Sequence, residues 1–230
     1  MEKAAVLFMG LPGAGKGTQA FRLTKHFPNF VHFDTGGEIY RRITDPLYEG
    51  DEMVQKQKEI YFAGVLNDPP WVADLVAERI RTYSAQDQGL VFSGSPRTRY
   101  EAEAIAPVLF DSYGKRRVAV LVVNVSEETA RQRSLGRISC ANKTCRFPTT
   151  QDQAGKPCPA CGETLPGDGQ KDEEWKISQL DTRFGEYRER TVPSIEYLQS
   201  LGLVEEIDGE GSPEEVSAQV LTVLKNRLEP

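Results

Sequence analysis

The chain has 230 residues, a formal net charge of −6 at pH 7 and 39% hydrophobic residues, which suffices for one α/β core with insertions. The acidic balance argues against nonspecific nucleic-acid binding, because that requires a basic surface. No apolar run is long enough to span a membrane, and no early stretch resembles a signal peptide. We therefore expect a cytoplasmic protein that binds neither nucleic acid nor membranes.

A glycine-rich turn follows the first apolar run of the chain. That run, 4–9, has the length and composition of a buried parallel strand, and apolar residues after the turn recur at helical spacing. A turn in this context is typical of a phosphate-binding loop, because glycines let successive amides point at one anion and the helix dipole adds a favourable field. The predicted phosphate-binding residues are Gly10, Pro12, Gly13, Ala14, Gly15, Lys16, Gly17 and Thr18.

Four further apolar runs alternate with helical stretches and are predicted to be strands: 30–33, 90–92, 118–123 and 203–207. With the first run they predict a P-loop three-layer α/β fold around a five-stranded parallel sheet. Ligands of such sheets bind beyond the carboxyl ends of the strands. The phosphate loop and the turns 34–37 and 93–97 each follow a strand, so we expect the three turns to meet in one crevice.

The order of motifs along nearly the whole chain resembles the adenylate kinase family of nucleoside monophosphate kinases. The loop has the form GxPGxGKGT. The segments 35–38 (TGGE) and 93–98 (SGSPRT) stand where the family has Thr-Gly-Asp and Asp-Gly-Phe-Pro-Arg-Thr. Further matches are the arginines in 133–137, Arg183 and the pair 208–209 before the last helix.

The resemblance implies that ATP, bound with Mg²⁺, donates a phosphoryl group to a nucleoside monophosphate, and it favours a monomer. Lys16 would hold the donor phosphates, Arg97 the acceptor phosphate, and Arg133 the donor base, while Arg137 and Arg183 would close over the transferring group. Arginine suits this role because its planar fork holds phosphate oxygens at two points. The residues expected at the acceptor are Thr35, Gly36, Arg41, Asn67, Gly94, Arg97, Glu101 and Arg183.

Three departures from the family pattern affect catalysis. Ser93 replaces an aspartate that orients magnesium-bound water, and a hydroxyl cannot supply that charge. The metal would then be held mainly by the phosphates, with Asp172 and Glu173 helping through water. Gln170 stands where the lid carries an arginine.

After the turn 34–37, Tyr40 stands at the position where the family has an arginine. If Gly37 is a one-residue insertion, Glu38 takes the aspartate role and Arg41 falls into register, and this is the alignment that we adopt. Because of these departures, a nucleotide-binding zinc protein with lost or weak turnover remains an alternative.

The acceptor base depends on Glu101, which occupies the position of an adenine-reading glutamine. An ionised carboxylate only accepts hydrogen bonds, so it suits two adjacent donors, as on guanine, better than the mixed edge of adenine. Asn67 also stands near an apolar family position. We expect AMP as the acceptor because of the family resemblance; a guanine or other nucleoside monophosphate, deoxy forms included, is the alternative. Glu101 could instead be a solvent-facing charge on the helix after Thr98.

All four cysteines of the chain lie within a short insertion. Cys158-Pro159-Ala160-Cys161-Gly162 has the form of a zinc knuckle, in which two intervening residues let both sulfurs face one metal. The predicted ligands of a structural Zn²⁺ are Cys140, Cys145, Cys158 and Cys161; free thiols or a redox pair are the alternatives. Many bacterial adenylate kinases carry zinc in this lid, which the resemblance extends to this chain.

We expect three parts. The core P-loop domain comprises 1–35, 68–137 and 172–230, the acceptor-binding insertion comprises 36–67, and the zinc-binding lid comprises 138–171. The two insertions are expected to move, because closure over both substrates excludes water that competes for the phosphoryl group. The two histidines, His26 and His32, lie in no matched motif and are interpreted as structural.

Overall fold

The structure is a computed structural model that describes residues 2–63, 65–142, 145, 147–167 and 173–228. The described strands are β1 (Ala5–Met9), β2 (Phe30–Phe33), β3 (Gly89–Phe92), β4 (Val118–Asn124), β5 (Arg137–Ser139), β6 (Pro148–Thr150) and β7 (Val204–Asp208). Five of these form a parallel sheet in the order β2-β3-β1-β4-β7. The predicted five-stranded parallel sheet is therefore confirmed, with each strand within about one residue of its expected position.

The described helices are α1 (Lys16–His26), α2 (Thr35–Thr44), α3 (Glu52–Phe62), α4 (Pro69–Ala85), α5 (Arg99–Tyr113), α6 (Glu127–Leu135), α7 (Glu173–Glu186), α8 (Val192–Ser200) and α9 (Pro213–Leu228). None of them combines the length and apolar character that crossing a bilayer requires.

Helices cover both faces of the sheet. Alternate side chains of β1 point to opposite faces, so Leu7 packs in a core with α4, α5 and α8, whereas Phe8 packs in a second core with α1 and α9. Because both faces of the sheet are buried, the strand sequences are nearly continuous apolar runs and do not alternate between apolar and polar residues. Every residue of β1 is buried.

Two segments extend from this core. Helices α2 and α3 lie between β2 and α4, and Ile39, Ile43 and Val54 join them to the core below. The second segment contains the antiparallel pair β5 and β6, in which Arg137 lies opposite Thr150. The exact domain boundaries remain predictions.

Helix α2 runs without interruption from Thr35. Asp34 caps it by accepting a hydrogen bond from the Gly37 amide at 3.1 Å, which is the usual geometry of an aspartate N-cap. Gly37 is thus the third residue of a regular helix and forms no bulge. The structure accordingly gives no local distortion that would mark Gly37 as an inserted residue.

Candidate active site

A single crevice of about 1540 Å³ opens at the carboxyl ends of β1, β2 and β3. The three predicted turns all line it, as do parts of the β5–β6 segment and of α7. Pockets for one drug-sized ligand occupy about 300–1,000 Å³, so this crevice is large enough for two nucleotides. The expected meeting of the three turns is therefore present in the fold.

The phosphate loop has the backbone geometry that an anion site requires. Gly13 and Gly15 have positive φ angles of 91° and 93°, and Gly15 is the N-cap of α1. The helix therefore begins at Lys16, with its positive dipole end facing the crevice. All eight predicted loop residues line the crevice. Lys16 Nζ donates hydrogen bonds to the carbonyl oxygens of Gly10 at 2.8 Å and Leu11 at 2.7 Å.

Three arginines converge on Lys16. Desolvation inside the crevice lowers the pKa of Lys16 to about 7, and the positive charges of Arg183, Arg97 and Arg137 contribute to that shift in this order. Desolvation, followed by the charges of Arg97 and Arg137, also lowers the pKa of Arg183 to about 10. The arginine side chains remain accessible from the open crevice. The four residues predicted to be catalytic therefore form one concentrated positive site that suits phosphate groups.

Arg97 is held by the turn that carries it. Its Nε donates to the carbonyl oxygen of Gly94 at 2.8 Å, and Thr191 Oγ1 donates to the Arg97 carbonyl oxygen at 3.2 Å. Thr191 ends the π-helical turn between α7 and α8. This turn therefore connects Arg97 to α7, the helix that carries Arg183.

Glu101 is only 4% exposed, so the interpretation of Glu101 as a solvent-facing charge is wrong. Its carboxylate accepts hydrogen bonds from the Arg97 amide at 3.0 Å, Thr98 Oγ1 at 3.1 Å and Ser95 Oγ at 3.4 Å. Burial raises the pKa of Glu101 against the opposing effect of these donors. The side chain lies in the crevice wall and also stabilises the turn before α5 in the manner of a capping box.

The other residues expected at the acceptor also line the crevice: Thr35, Gly36, Arg41, Asn67 and Gly94. Asn67 is buried, and its Nδ2 donates to the carbonyl oxygen and Oε1 of Gln57 at 2.8 and 3.0 Å. This amide therefore connects the end of the acceptor insertion to α3. Two aromatic residues to which the sequence assigned no role line the same crevice. They are Tyr40 and Tyr61, and their ring centroids are 6.1 Å apart.

Glu38 connects α2 to α4. Its Oε1 accepts hydrogen bonds from Arg79 Nε at 2.8 Å and Arg79 Nη2 at 2.7 Å, and its carboxylate also pairs with Arg41. Desolvation opposes the ionisation of Glu38, but the hydrogen bonds from Arg41 and Arg79 outweigh it and lower the pKa. The geometry thus places Glu38 in an ion-pair network, with its side chain 9% exposed.

His32 lies in the crevice wall beside Ser93. Its Nε2 is 2.6 Å from Ser93 Oγ, although the sequence interpretation treated His32 as structural. Burial lowers the pKa of His32, and the nearby charge of Asp34 opposes that shift. The signal that sequence reasoning missed is the position of His32 near the carboxyl end of β2, next to the strand that Ser93 follows.

Arg133 contacts the loop between β7 and α9. Its Nη1 donates to the carbonyl oxygen of Gly209 at 2.8 Å, and its Nη2 donates to those of Glu210 and Gly211 at 3.2 and 3.3 Å. The side chain lines the crevice. Gln170 and Asp172 lie outside the described residues, as does the side chain of Glu173.

The four cysteine sulfurs lie within 4.8 Å of one another. The Sγ atoms of Cys140 and Cys161 are 3.6 Å apart, and those of Cys145 and Cys158 are 3.7 Å apart. Tetrahedral zinc with Zn–S bonds of about 2.3 Å requires sulfurs about 3.8 Å apart, so this arrangement fits the ion. None of these four cysteines forms a disulfide.

The cysteine-containing segment reaches the core next to the phosphate loop. Phe147 packs edge-on against Phe21 of α1, with ring centroids 4.6 Å apart. Cys145, Phe147 and Cys161 line the crevice. The segment therefore contacts the side of the crevice formed by the phosphate loop and α1.

Comparison with known proteins gives one consistent result. The family model described as "Adenylate kinase" matches residues 8–203. The chain is 30% identical to the adenylate kinase of Rhizorhabdus wittichii over 231 residues, covering 96% of this chain and 99% of that protein. It is 32% identical to the adenylate kinase of Desulforamulus reducens (96% and 99% covered) and 31% identical to that of Agathobacter rectalis (95% and 98% covered).

Proposed function

We propose, from the premise that the chain belongs to the adenylate kinase family and is a nucleoside monophosphate kinase, that it converts ATP and AMP to two molecules of ADP. The observation that carries this proposal is the convergence of Lys16, Arg97, Arg137 and Arg183 on the phosphate loop. In-line phosphoryl transfer requires positioning of both nucleotides and stabilisation of charge on the moving group. The cluster supplies both, with Lys16 at the loop, Arg97 on a neighbouring turn, Arg137 on β5 and Arg183 on α7.

Each part of the crevice has a role in this reaction. The loop amides and Lys16 bind the donor phosphates, and Arg133 stacks on the donor base. Arg97 binds the acceptor phosphate, while Arg137 and Arg183 neutralise charge on the transferring group. The acceptor phosphate supplies the attacking oxygen, so no protein nucleophile is needed.

Magnesium accompanies ATP in this proposal, and the residues present fit it. The crevice presents oxygen ligands, including the hydroxyls of Thr18 and Ser93 and the carboxylate of Asp34, and Mg²⁺ prefers oxygen. When bound with the donor phosphates, the ion neutralises their charge.

The cysteine cluster is proposed to bind one structural Zn²⁺, since four protein sulfurs leave no open position for catalysis. The ion would hold the segment 138–171 together as a cover, because such a short segment cannot build its own core. Its contact between Phe147 and Phe21 suggests how the cover meets the donor end. Closure would exclude water from the phosphoryl group.

A guanine nucleotide is the second candidate acceptor. The observation in its favour is Glu101, which is buried in the crevice wall and accepts hydrogen bonds from three donors. A carboxylate that only accepts matches the adjacent N1–H and N2–H donors of guanine better than the adenine edge. AMP takes precedence because the similar proteins are adenylate kinases.

The test is turnover of the purified protein with ATP, Mg²⁺ and each of AMP, GMP, CMP, UMP and their deoxy forms. We expect the highest kcat/KM with AMP, and Lys16→Met as a control that abolishes the signal. A higher kcat/KM with GMP would replace AMP by the second candidate. ATP binding without turnover of any acceptor would contradict both and identify a nucleotide-binding protein that has lost catalysis.

A further inference from the structure

Four carboxylate side chains among the described residues line the crevice, and three of them are engaged. Glu38 is paired with two arginines, and Glu101 accepts hydrogen bonds from the turn before α5. Glu186 Oε2 lies 3.0 Å from Arg190 Nε. Asp34 is the remaining carboxylate of this set.

Asp34 directly follows β2 and is exposed to the crevice. Its Oδ2 caps α2 by accepting from the Gly37 amide at 3.1 Å, which leaves Oδ1 without a hydrogen-bond partner among the described residues. The cap also restrains the side chain of this crevice-lining residue.

The neighbouring turn cannot supply negative charge. Ser93 offers a hydroxyl, and this hydroxyl lies 2.6 Å from His32 Nε2. The Asp34 carboxylate lies close enough to His32 for its charge to act on that imidazole, so it stands beside the turn that begins at Ser93.

We propose that Asp34 is the carboxylate that orients magnesium-bound water in this crevice, in place of an acid at Ser93. Mg²⁺ dehydrates reluctantly and is typically bound through substrate phosphates, several waters and one or two carboxylates. Asp34 acts through water and is thus a positioning residue. This inference rests on the proposed function, because it requires that the crevice bind a metal–ATP complex.

The test is the Mn²⁺ affinity of the ATP-saturated protein, measured from the electron paramagnetic resonance signal of free Mn²⁺. Asp34→Asn removes the charge but keeps an N-cap of similar strength. Since loss of an outer-shell partner of a metal typically costs at least 10-fold in affinity, we expect about 10-fold weaker Mn²⁺ binding. Ser93→Asp in the Asp34→Asn background should restore at least half of the lost binding free energy.

Asp51→Asn is the matched control. Asp51 caps α3 by accepting from the Val54 amide at 3.1 Å, and it does not line the crevice. We expect this variant to bind Mn²⁺ as the wild type does. Circular dichroism of each variant verifies that the fold is retained.

The outcomes separate this inference from the function on which it rests. If the wild-type protein with ATP holds Mn²⁺ no better than ATP alone, the proposed donor site is wrong. If the wild-type protein with ATP binds Mn²⁺ more tightly than ATP alone, and Asp34→Asn binds it as tightly as the wild type, only the role of Asp34 is overturned. The role of Asp34 is also overturned if Asp51→Asn loses as much Mn²⁺ affinity as Asp34→Asn. The same holds if the folded double variant with Asp34→Asn and Ser93→Asp recovers none of that affinity.

Discussion

Lys16 and Arg183 bring like charges to one end of the crevice, and desolvation together with this repulsion lowers the pKa of Lys16 to about 7. A bound triphosphate reverses the balance because its negative charge favours the ammonium form. At pH 8 the free lysine is mostly neutral while the complex holds it charged. We expect ATP binding at pH 8 to take up a proton, measured by calorimetry in buffers of different ionisation enthalpy.

Lys16→Met should abolish this proton uptake, and uptake should also disappear at pH 5.5, where the free lysine is already charged. At pH 8 the phosphates of ATP are ionised and cannot account for it. An ATP-binding enthalpy that is independent of the buffer at pH 8 would contradict the lowered pKa of Lys16.

Removing Arg183 should separate stability from activity. Desolvation, then the charges of Arg97 and Arg137, lower the pKa of Arg183 to about 10, so its charge is unfavourable in the free protein. Arg183→Met should decrease kcat by about 100-fold or more, without lowering the melting temperature of the free protein. Kinetics and calorimetry of the same preparation measure both quantities.

Arg188→Met is the control for this prediction. Arg188 pairs with Glu127 on the surface, at 2.9 Å between Nη1 and Oε2, and surface pairs contribute little to stability. Both kcat and the melting temperature should change little. A drop in the melting temperature that is specific to Arg183→Met would indicate that this arginine stabilises the free protein.

Glu101→Gln distinguishes base recognition from support of the turn. If Glu101 reads the acceptor base, the amide should raise the ratio of kcat/KM for AMP over GMP by about 10-fold. If Glu101 only holds the Arg97 amide and Thr98, KM for all acceptors should rise together. Initial rates with both nucleotides measure the ratio.

The control for this variant is Glu103→Gln on the same helix. Glu103 pairs with Arg99 at 2.7 Å on the exposed side of α5 and does not line the crevice. Its ratio of kcat/KM values should equal that of the wild type.

The cysteine cluster predicts one zinc ion per chain. Sulfur distances of 3.6 and 3.7 Å suit tetrahedral zinc, and metal binding contributes directly to the stability of small metal-bound segments. Metal analysis should give one equivalent of zinc, and its removal by a chelator should lower the melting temperature by about 5 °C. Native metal-free protein whose four thiols react readily with an alkylating reagent would contradict the site.

Gly13 should tolerate substitution less well than Gly15. A Cβ atom at Gly13 would lie 2.2 Å from the Ala130 carbonyl oxygen, whereas one at Gly15 meets nothing within 4 Å. Both residues have positive φ, so Gly15→Ala should cost about 1 kcal/mol through strain alone. Gly13→Ala should cost about 3 kcal/mol, because α6 must also shift. Urea unfolding measures both, and equal losses would contradict the close approach of α6.

The sequence by itself determined the features that depend on local spacing. Consecutive residues are enough to identify the phosphate loop between an apolar run and a helix, and they are enough to identify the five strands. The cysteine pairs follow the same logic, because metal-ligand spacing is encoded within a short segment.

The tertiary structure decided the contacts that join distant residues. The burial of Glu101 depends on how the turn before α5 folds over it, and neither periodicity nor spacing reports that. Glu38 meets Arg79 across 41 residues, and His32 meets Ser93 across 61 residues. The second contact follows from the parallel pairing of β2 with β3, which places the ends of these strands side by side, whereas the first joins α2 to α4. Side chains far apart in sequence become neighbours only when the sheet has assembled, because residue spacing carries no information about which strands pair.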